Sequence, residues 1–271
     1  MKITILGSGA WEGIPAPFCA CAVCAIATKL PFDKNNRTRP QLLVENDDER
    51  FLVEISPDIR LQSTRFGLPP IKDFLVSHWH FDHMYGINEL HQYSKEVTRG
   101  LNIYCSAGTN AVLDTDEFSY IPQAIHVVKP LEPFELAGIS ITPLPVYHMR
   151  SEDDAIPEDT LANTFGFLFE HDGKKVAYLA DYYRVPQSVQ DAVNGIDAVI
   201  CEGTYLRTDD FKGHKPNHMH GQDIIDFASS LRAKKTYYHS ISHLTHAKHD
   251  ELQALLPQGQ VLAFDGMVVE Y

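Results

Sequence analysis

The chain has 271 residues, of which 44% are hydrophobic, and a formal net charge of −13. This length and composition allow one large buried core, and no linker-like stretch divides the sequence, so we predict a single domain over residues 1–271. The acidic balance argues against a nucleic-acid polymer as partner, because binding one requires clustered Lys and Arg. It still allows a small anionic substrate where bound cations reverse the local charge.

No apolar stretch has the length of a membrane-spanning helix, and the run before Gly7 is too short for a signal-peptide core. Three of the five cysteines lie between residues 19 and 24. This crowding favours a metal site in a reducing compartment over disulfides. We therefore predict a cytoplasmic protein without a membrane partner, and a homodimer is compatible with the sequence.

Short β-type runs separated by turn signals predict strands at 2–6, 41–45, 51–55, 73–77, 102–105, 125–129, 139–142, 165–170, 175–180, 197–201, 236–240 and 261–264. Helical patterns predict helices at 86–98, 109–117, 187–194, 222–232 and 249–256. This alternation favours stacked sheets with helices on their outer faces over a doubly wound parallel sheet.

Three glycines, Gly7, Gly9 and Gly13, follow the first predicted strand. Their spacing does not match the dinucleotide-binding fingerprint, and Pro15 and Pro17 prevent the helix that would receive a pyrophosphate. We interpret this segment as a tight loop in which backbone segments approach closely, and we predict no dinucleotide cofactor.

The most informative segment is residues 75–83, in which an apolar run ends in His78, His80, Asp82 and His83. If the segment leaves a strand as a turn, the first two histidines point together at one metal ion, and Asp82 and His83 face a second. A surface histidine cluster is the alternative interpretation. The spacing predicts a metallohydrolase.

Further ligands are expected where other predicted strands end. His148, Asp181 and His239 each follow an extended run, and a carboxylate is a natural bridge between two cations. Taken singly, such residues are more often surface or capping residues. Together with the histidine cluster, they are predicted to complete a metal centre.

These residues resemble the motifs of the metallo-β-lactamase superfamily, with residues 78–83 as the signature and with His148 and Asp181 as the next two ligand motifs. The chain resembles the PhnP-type phosphodiesterases most and PqqB-like proteins more distantly. The likeness covers nearly the whole chain, including residues 7–15, 19–24, 145–148, 217–218, 241–243 and 264–267. It implies a four-layer αββα sandwich, in which two mixed sheets carry helices on their outer faces and a dinuclear site lies along one edge.

The resemblance implies two divalent ions, zinc or manganese, in this site. The ligands of the first ion would be His78, His80, His148 and Asp181. The ligands of the second would be Asp82, His83, Asp181 and His239.

Two positions depart from the family pattern. The last metal-ligating histidine of the family lies three residues before His243, where this chain has Ser240, and His239 is one residue earlier. Since side chains alternate along a strand, this shift is expected to point His239 away from the site unless a bulge re-aims it. Glu54 stands where the superfamily usually has an aspartate that braces the histidine loop, and Asp58 is expected to share that role.

Cys19, Cys21 and Cys24 supply three soft ligands, one short of a tetrahedral zinc site. The resemblance places the fourth ligand at His243. A redox pair of Cys21 and Cys24 and unliganded buried cysteines are the alternatives, although no thioredoxin-like context surrounds the pair. We predict a structural zinc that fixes the N-terminal loop to the C-terminal part of the chain, and we interpret Cys105 and Cys201 as core residues.

Two adjacent ions would lower the pKa of a water between them to near neutrality and polarise a phosphoryl oxygen. The predicted role of Asp82 is to ligate a metal and orient this nucleophile. The resemblance implies that His218 protonates the leaving group, with His220 as a second candidate. Solvated side chains are the alternative for the histidines of this loop and for Lys215. The acidic run at 151–159 is interpreted as a solvated loop or as a lid over the site.

The sequence thus predicts a metal-dependent phosphodiesterase that acts on a small or cyclic phosphodiester through hydroxide formed at the metal centre. One alternative is a lactonase or thioesterase on the same fold, which a thioester or lactone rate without a phosphodiester rate would favour. The other is a PqqB-like binding or biosynthetic protein with a degraded metal site, which Ser240 keeps open. The acidic balance argues against a tRNA-processing nuclease.

Overall fold

A computed structural model describes residues 1–148, 163–207 and 217–271 of the chain. Its strands are β1 (Lys2–Gly7), β2 (Gln41–Asn46), β3 (Glu49–Val53), β4 (Asp73–Val76), β5 (Leu101–Cys105), β6 (Gln123–Val127), β7 (Phe134–Leu136), β8 (Ile139–Pro145), β9 (Phe165–His171), β10 (Lys174–Leu179), β11 (Ala198–Glu202), β12 (Lys235–His239), β13 (Gln260–Leu262) and β14 (Met267–Glu270). They form two seven-stranded sheets, in the orders β14-β1-β2-β3-β4-β5-β6 and β13-β12-β11-β10-β9-β8-β7. Each sheet contains both parallel and antiparallel pairs.

The α-helices are short and lie between the strands in sequence. They are α1 (Ala22–Lys29), α2 (Ile59–Phe66), α3 (Phe81–Met84), α4 (His91–Glu96), α5 (Ala107–Leu113), α6 (Gln187–Ala192), α7 (Gln222–Ser230) and α8 (His249–Gln253). In the described part of the chain, 3-10 helices cover Tyr85–Leu90 and His243–Thr245. No helix among the described residues is long and apolar enough to cross a membrane.

Apolar side chains form one layer between the two sheets and one on the outer face of each sheet. In β9, Phe165, Phe167 and Phe169 are buried between the sheets, whereas Leu168 packs on the outer face. This period of two is the side-chain alternation of a strand with both faces covered. Burial of each such phenyl ring stabilises the fold by about 1.5–3 kcal/mol. The arrangement confirms the predicted αββα sandwich.

Most predicted elements are present, with differences in extent. The helix expected at 86–98 is a 3-10 helix at Tyr85–Leu90 followed by α4. Six of the described elements were not predicted, namely α1, α2, α3, β7, β14 and the 3-10 helix at His243–Thr245. Each has eight residues or fewer, too few for a periodic signal to stand out from its surroundings.

The strand directions bring one end of each sheet to a common edge. Strands β10, β11 and β12 are parallel, and β8 has the same direction because both β8 and β10 are antiparallel to β9. The carboxyl ends of these strands therefore lie together. At this edge the backbone N–H of Phe165 donates to the carbonyl oxygen of Ser77, just beyond β4, over 2.9 Å. The residues that follow β4, β8 and β10 are those predicted to bind metal.

Gly7 confirms the interpretation of the N-terminal glycine segment as a tight loop. A Cβ atom at this position would lie 1.8 Å from the carbonyl oxygen of Arg39. Only glycine permits this approach without a backbone shift. The loop that follows β1 is thereby packed against residues 37–39.

A buried polar network ties this loop to the end of the chain. Arg37 donates from Nη1 to Ser8 Oγ over 2.8 Å, and its Nη2 lies 2.9 Å from Nδ1 of His249. Since a guanidinium only donates, Nδ1 of His249 accepts and its ring is neutral. Asp265 accepts from both the N–H and the hydroxyl of Ser8. Burial lowers the pKa of Arg37 to about 10, and the network holds this cation inside the fold.

We expect His249 to make the protein sensitive to mild acid. Burial, and then the neighbouring Arg37, lower the pKa of His249 to about 4, from 6.5 in the unfolded chain. Between these pH values the unfolded chain binds a proton that the folded chain excludes, so stability falls as the pH drops from about 6.5 to about 4. The unfolding temperature of wild type should fall between pH 7 and pH 4.5. For the His249→Gln variant this fall should be smaller by at least ~2 °C.

His171→Gln serves as the control for this measurement, because His171 lies near the surface with its side chain partly accessible. Its acid profile should follow that of wild type. Identical profiles for wild type and His249→Gln would show that His249 does not contribute.

Candidate metal centre

The histidine loop connects β4 to α3. The backbone N–H of Ser77 donates to Oε2 of Glu54 over 3.1 Å, which fixes the start of the loop. His80 is the N-cap residue of α3, and Asp82 and His83 lie within this helix. The helix begins between the two pairs of predicted ligands, so the chain turns there, as the sequence predicted.

The first group of candidate ligands combines this loop with two strand ends. Ligand atoms of His78, His80, His148 and Asp181 lie within 4.8 Å of one another. Oδ2 of Asp181 is 3.9 Å from Nε2 of His78 and 3.7 Å from Nε2 of His148. In a tetrahedral site with bonds of about 2.1 Å, neighbouring ligand atoms are about 3.4 Å apart. The group has the dimensions and donor types of a site for a divalent cation.

The second group shares Asp181 with the first. It also contains Asp82 and His83, whose Nε2 lies 3.3 Å from Oδ2 of Asp82 and 3.3 Å from Oδ2 of Asp181. Nδ1 of His83 is 3.0 Å from Oε1 of Glu54, so this carboxylate accepts the Nδ1 proton and leaves Nε2 directed at the aspartates. Asp181 thus belongs to both groups, and its carboxylate would contact an ion held by either of them.

Unpaired nitrogen atoms at the centre of the cluster support metal binding. Nε2 of His78 and Nε2 of His83 are buried and form no hydrogen bond with any described residue, although Oδ2 of Asp181 lies 3.9 Å from the first and 3.3 Å from the second. A buried polar atom without a partner costs about 1–3 kcal/mol. A cation among these nitrogens and Asp181 would give each of them a partner, so the residues fit the group that they are predicted to hold.

The protonation states of His78 and His148 also suit metal binding. Nδ1 of His148 lies 2.9 Å from the carbonyl oxygen of Asn217, which can only accept, so the Nε2 lone pair faces the cluster. Burial lowers the pKa of both His78 and His148 well below the usual range. Both rings are therefore neutral at pH 7, the form that binds a metal ion.

Charges at the centre of the cluster shift two further pKa values. Burial opposes the charge on His83, but Asp82, Asp181 and Glu54 outweigh it and raise the pKa of His83 well above 6.5. Burial likewise opposes the charge on Asp181, and nearby histidines, first His83 and then His218, hold its pKa well below the usual range. The cluster therefore carries negative charge that a cation would neutralise.

Glu54 braces the histidine loop, as the sequence predicted for this position. Its fully buried carboxylate accepts from the N–H of Ser77 and the hydroxyl of Tyr178, and it contacts His83. Glu54 has a φ of 71°, a strained conformation that costs about 1–3 kcal/mol for a residue with a side chain. The expectation that Asp58 shares this role is wrong, because its carboxylate binds the backbone N–H and the guanidinium of Arg39.

The orientation of His239 differs from expectation. Tyr237 packs against the layer between the sheets and Tyr238 is buried on the outer face, so His239 points between the sheets, with its ring centroid 4.9 Å from that of Tyr178. Ser240 adopts a φ of 55° and lines the cavity beside the metal centre. Strand β12 ends at His239, so the side-chain alternation of the strand does not continue to Ser240. The expectation that His239 points away from the site assumed that it does.

His239 lies near the second group without joining it. Its Nε2 is buried and forms no hydrogen bond with the residues that the structure describes, and its Nδ1 lies 2.9 Å from Oγ of Ser240. Burial lowers its pKa to about 4, an effect that Asp181 opposes and His83 reinforces. In the described part of the chain, the ligand groups with atoms within 4.8 Å of one another do not include His239. Its role as a ligand stays a prediction.

His218 forms a third group with Asp181 and Glu202. Its Nδ1 hydrogen-bonds to the Glu202 carboxylate, which also accepts from the backbone N–H of Tyr182 and the hydroxyl of Thr204. Burial opposes the charge on His218, but Glu202 outweighs it and raises the pKa of His218 to about 9. Glu202 was not among the residues predicted from the sequence, although this carboxylate ends β11 just as Asp181 follows β10.

These side chains surround a cavity of about 480 Å³. Its lining residues are Ala10, Trp11, His80, Phe81, Asp82, His148, Asp181, Thr204, Tyr205, Asn217, His218 and Ser240. His220, the second candidate acid, is exposed and is not among these lining residues. The acidic run at 151–159 and the loop residues His214 and Lys215 lie outside the described residues.

The cysteine cluster forms a separate group. Ligand atoms of Cys19, Cys21, Cys24 and His243 lie within 4.8 Å of one another, with Sγ of Cys19 3.6 Å from Nδ1 of His243. Three sulfurs and one imidazole are a donor set typical of structural zinc. The carboxylate of Glu12 accepts from the backbone N–H of His243 over 2.9 Å and so joins the N-terminal loop to this group. None of the five cysteines forms a disulfide.

We expect the Cys21→Ser variant to lose one metal ion per chain and to unfold at a temperature lower by roughly 5–10 °C, since ~1 kcal/mol corresponds to 2–4 °C in a chain of this size. Elemental analysis and thermal unfolding measure the two effects. The matched control is Cys105→Ala, because Cys105 is buried in β5, apart from the cluster. It should keep its metal content, and unchanged metal content in Cys21→Ser would refute the zinc site.

Comparison with known proteins gives results consistent with this geometry. The family model described as beta-lactamase superfamily domain matches residues 49–241. The chain is 32% identical over 229 residues to coenzyme PQQ synthesis protein B of Methylobacterium radiotolerans, an alignment that covers 78% of this chain and 75% of that protein.

Two solved structures extend the likeness to the whole fold. A diphosphatase from the PhnP family is 28% identical with a TM-score of 0.80, and the match covers 100% of this chain and 97% of that one. Zn²⁺-bound PqqB from Methylobacterium extorquens is 24% identical with a TM-score of 0.83, covers 100% of both chains, and shows likeness of fold. On the family match and the sequence relative together, the chain belongs to the beta-lactamase superfamily.

Proposed function

We propose that this protein is a metal-dependent hydrolase that cleaves a phosphodiester bond in a small or cyclic molecule. The observation that carries the proposal is the position of His218, which lines the cavity next to the candidate metal ligands and is held there by Glu202. The ring centroids of His218 and His148 are 4.9 Å apart. A proton donor is therefore fixed beside the metal centre, where an alkoxide leaving group needs one.

The donor nitrogen follows from the hydrogen bond to Glu202. Because Nδ1 of His218 donates a hydrogen bond to this carboxylate, the second proton of the imidazolium is on Nε2. With a pKa raised to about 9, the ring holds both protons at pH 7. His218 would thus donate from Nε2 to the leaving oxygen, and Glu202, itself held by Thr204 and Tyr182, would keep the ring in place.

The two ligand groups that share Asp181 would hold divalent ions, which polarise the phosphoryl group and lower the pKa of a nearby water when bound. Asp82 belongs to the second group and lines the cavity, so its carboxylate would orient both an ion and the attacking water. The likeness to a diphosphatase from the PhnP family, over the whole chain, supports a phosphorus ester as substrate. The bound metal of the PqqB structure supports zinc as one of the ions.

The test combines elemental analysis with an assay. Protein loaded with Zn²⁺ or Mn²⁺ should contain about three ions per chain, two in the cavity and one at the cysteines, and should hydrolyse bis(p-nitrophenyl) phosphate and 2′,3′-cyclic nucleotides. The same preparation treated with a chelator is the control. Fully loaded protein that turns over thioesters or lactones but no phosphodiester would contradict the proposal.

A second candidate is a biosynthetic role like that of the PQQ synthesis relatives, favoured by 32% identity over most of the chain. Under this alternative the cavity holds one ion or none and gives no turnover of simple phosphodiesters. A metal content of one ion per chain, which is lost when the cysteines of the cluster are substituted, would favour this alternative.

A further inference from the structure

Two large aromatic side chains stand exposed at the cavity. Trp11 is 62% exposed and Phe81 is 47% exposed, and both line the cavity that contains Asp82 and His218. We call these two residues the aromatic rim. Exposed Trp and Phe forgo the stabilisation that burial would provide, about 1.5–3 kcal/mol for a Phe side chain. Trp11 is one of only two tryptophans in the chain, and it lies beside the metal centre rather than in the core.

Arg39 holds both members of the rim in place. Its Nε donates to the carbonyl oxygen of Trp11 over 2.7 Å, and its guanidinium carbon lies 5.5 Å from the ring centroid of Phe81, within range of a cation–π contact. Asp58 fixes Arg39 in turn, through the guanidinium over 2.9 Å and the backbone N–H over 2.8 Å. These contacts hold the backbone of Trp11 and the ring of Phe81 in place, which reduces the entropy lost when a ligand binds.

We propose that the aromatic rim stacks on a planar aromatic ring of the substrate, so that the substrate is a phosphodiester carrying a flat heterocycle such as a nucleobase. This inference rests on the proposed phosphodiesterase function. A cavity of about 480 Å³ has the size of a site for a whole small molecule rather than for its reacting group alone. Polar groups surround one part of it, whereas Trp11 and Phe81 offer apolar faces on which any base can stack.

The first test compares two substrates that differ only in the ring. Adenosine 2′,3′-cyclic phosphate carries the base, and the 2,3-cyclic phosphate of methyl β-ribofuranoside lacks it. We expect wild type to prefer the adenosine compound by at least about ten-fold in kcat/KM, and Trp11→Ala to remove most of this preference. Trp11→Phe should retain it, because a phenyl ring still stacks.

Phe32→Ala is the matched control, since Phe32 is a 78% exposed aromatic residue outside the cavity lining, and its preference should equal that of wild type. Phe81→Leu provides a second rim variant that keeps an apolar side chain in α3. Equal kcat/KM for the two substrates in wild type, or an unchanged preference in both Trp11→Ala and Phe81→Leu, would overturn the proposal.

A binding measurement separates this proposal from the proposed activity. Adenosine 5′-monophosphate and ribose 5-phosphate, titrated calorimetrically into metal-loaded protein, require no turnover. We expect the nucleotide to bind at least about ten-fold more tightly, and Trp11→Ala to lose this difference. Equal affinities would refute the rim as a ring-binding site even in an active phosphodiesterase. Tighter nucleotide binding without any hydrolysis would retain the rim and refute the phosphodiesterase instead.

Discussion

The Asp181→Asn variant is expected to lose at least about a thousand-fold in kcat/KM. Asp181 is the residue common to all three ligand groups of the cavity, and its Oδ2 lies within 4 Å of His78, His83 and His148. An amide keeps the size of the side chain but removes the charge that would balance the ions of the proposed metal centre. Losing several kcal/mol of Lewis-acid stabilisation corresponds to a rate loss of this order.

Metal content measured on the same variant distinguishes the two kinds of site. Ions should be lost from the cavity, whereas one zinc per chain should remain at Cys19, Cys21, Cys24 and His243. Asp172→Asn is the matched control, because Asp172 lies in the turn that follows β9 and its side chain is 88% exposed. Turnover and metal content should not change in this variant. Loss of all metal from Asp181→Asn would contradict a structural site that is independent of the cavity.

The second large effect concerns His218 and depends on the leaving group. For a phosphodiester with an alkoxide leaving group, His218→Gln should lower kcat by about 10²- to 10⁴-fold, the usual contribution of a general acid. For a p-nitrophenyl ester the loss should be much smaller, since p-nitrophenolate leaves without a proton. Steady-state kinetics with the two substrate types measures the difference directly.

Two further variants sharpen this result. His220→Gln decides between the two loop histidines, because His220 is exposed and outside the cavity lining, and it should keep kcat within about two-fold. Glu202→Gln removes the carboxylate that holds Nδ1 of His218 and should show the same dependence on the leaving group as His218→Gln, with a smaller loss. An equal loss on both substrate types in His218→Gln would indicate a role in positioning rather than proton donation.

The fold, the histidine loop at residues 78–83 and Asp181 could be predicted because they leave local patterns in the sequence. The spacing of His78, His80, Asp82 and His83 requires a single turn after a strand, and the structure supplies it with α3. Asp181 was identified from the strand before it. Glu202 ends β11 in the same way, but a carboxylate at a strand end does not reveal its partner, and His218 follows 16 residues later.

Other features depend on contacts between distant residues, which no local pattern encodes. Arg39 and Trp11 meet only because Gly7 allows β1 and the segment at 37–39 to approach closely. The orientation of His239 depends on where β12 ends and on the positive φ of Ser240. The alternation rule applied to the sequence assumes that the strand continues. At both places tertiary packing, and not local propensity, determines the result.

The pairing of the first strand with the last has a consequence for folding during synthesis. Strand β1 pairs with β14, from Lys2 opposite Glu270 to Ile5 opposite Met267, and Asp265 binds Ser8 in the loop that leads to Trp11. Asp265 is synthesised 257 residues after Ser8, so strand β1 stays without its outer neighbour while the chain between them is made. We expect a nascent chain that has reached only residue 264 to collapse around its central strands while the loop bearing Trp11 remains unanchored, and the cavity to form only after residues 265–270 have emerged.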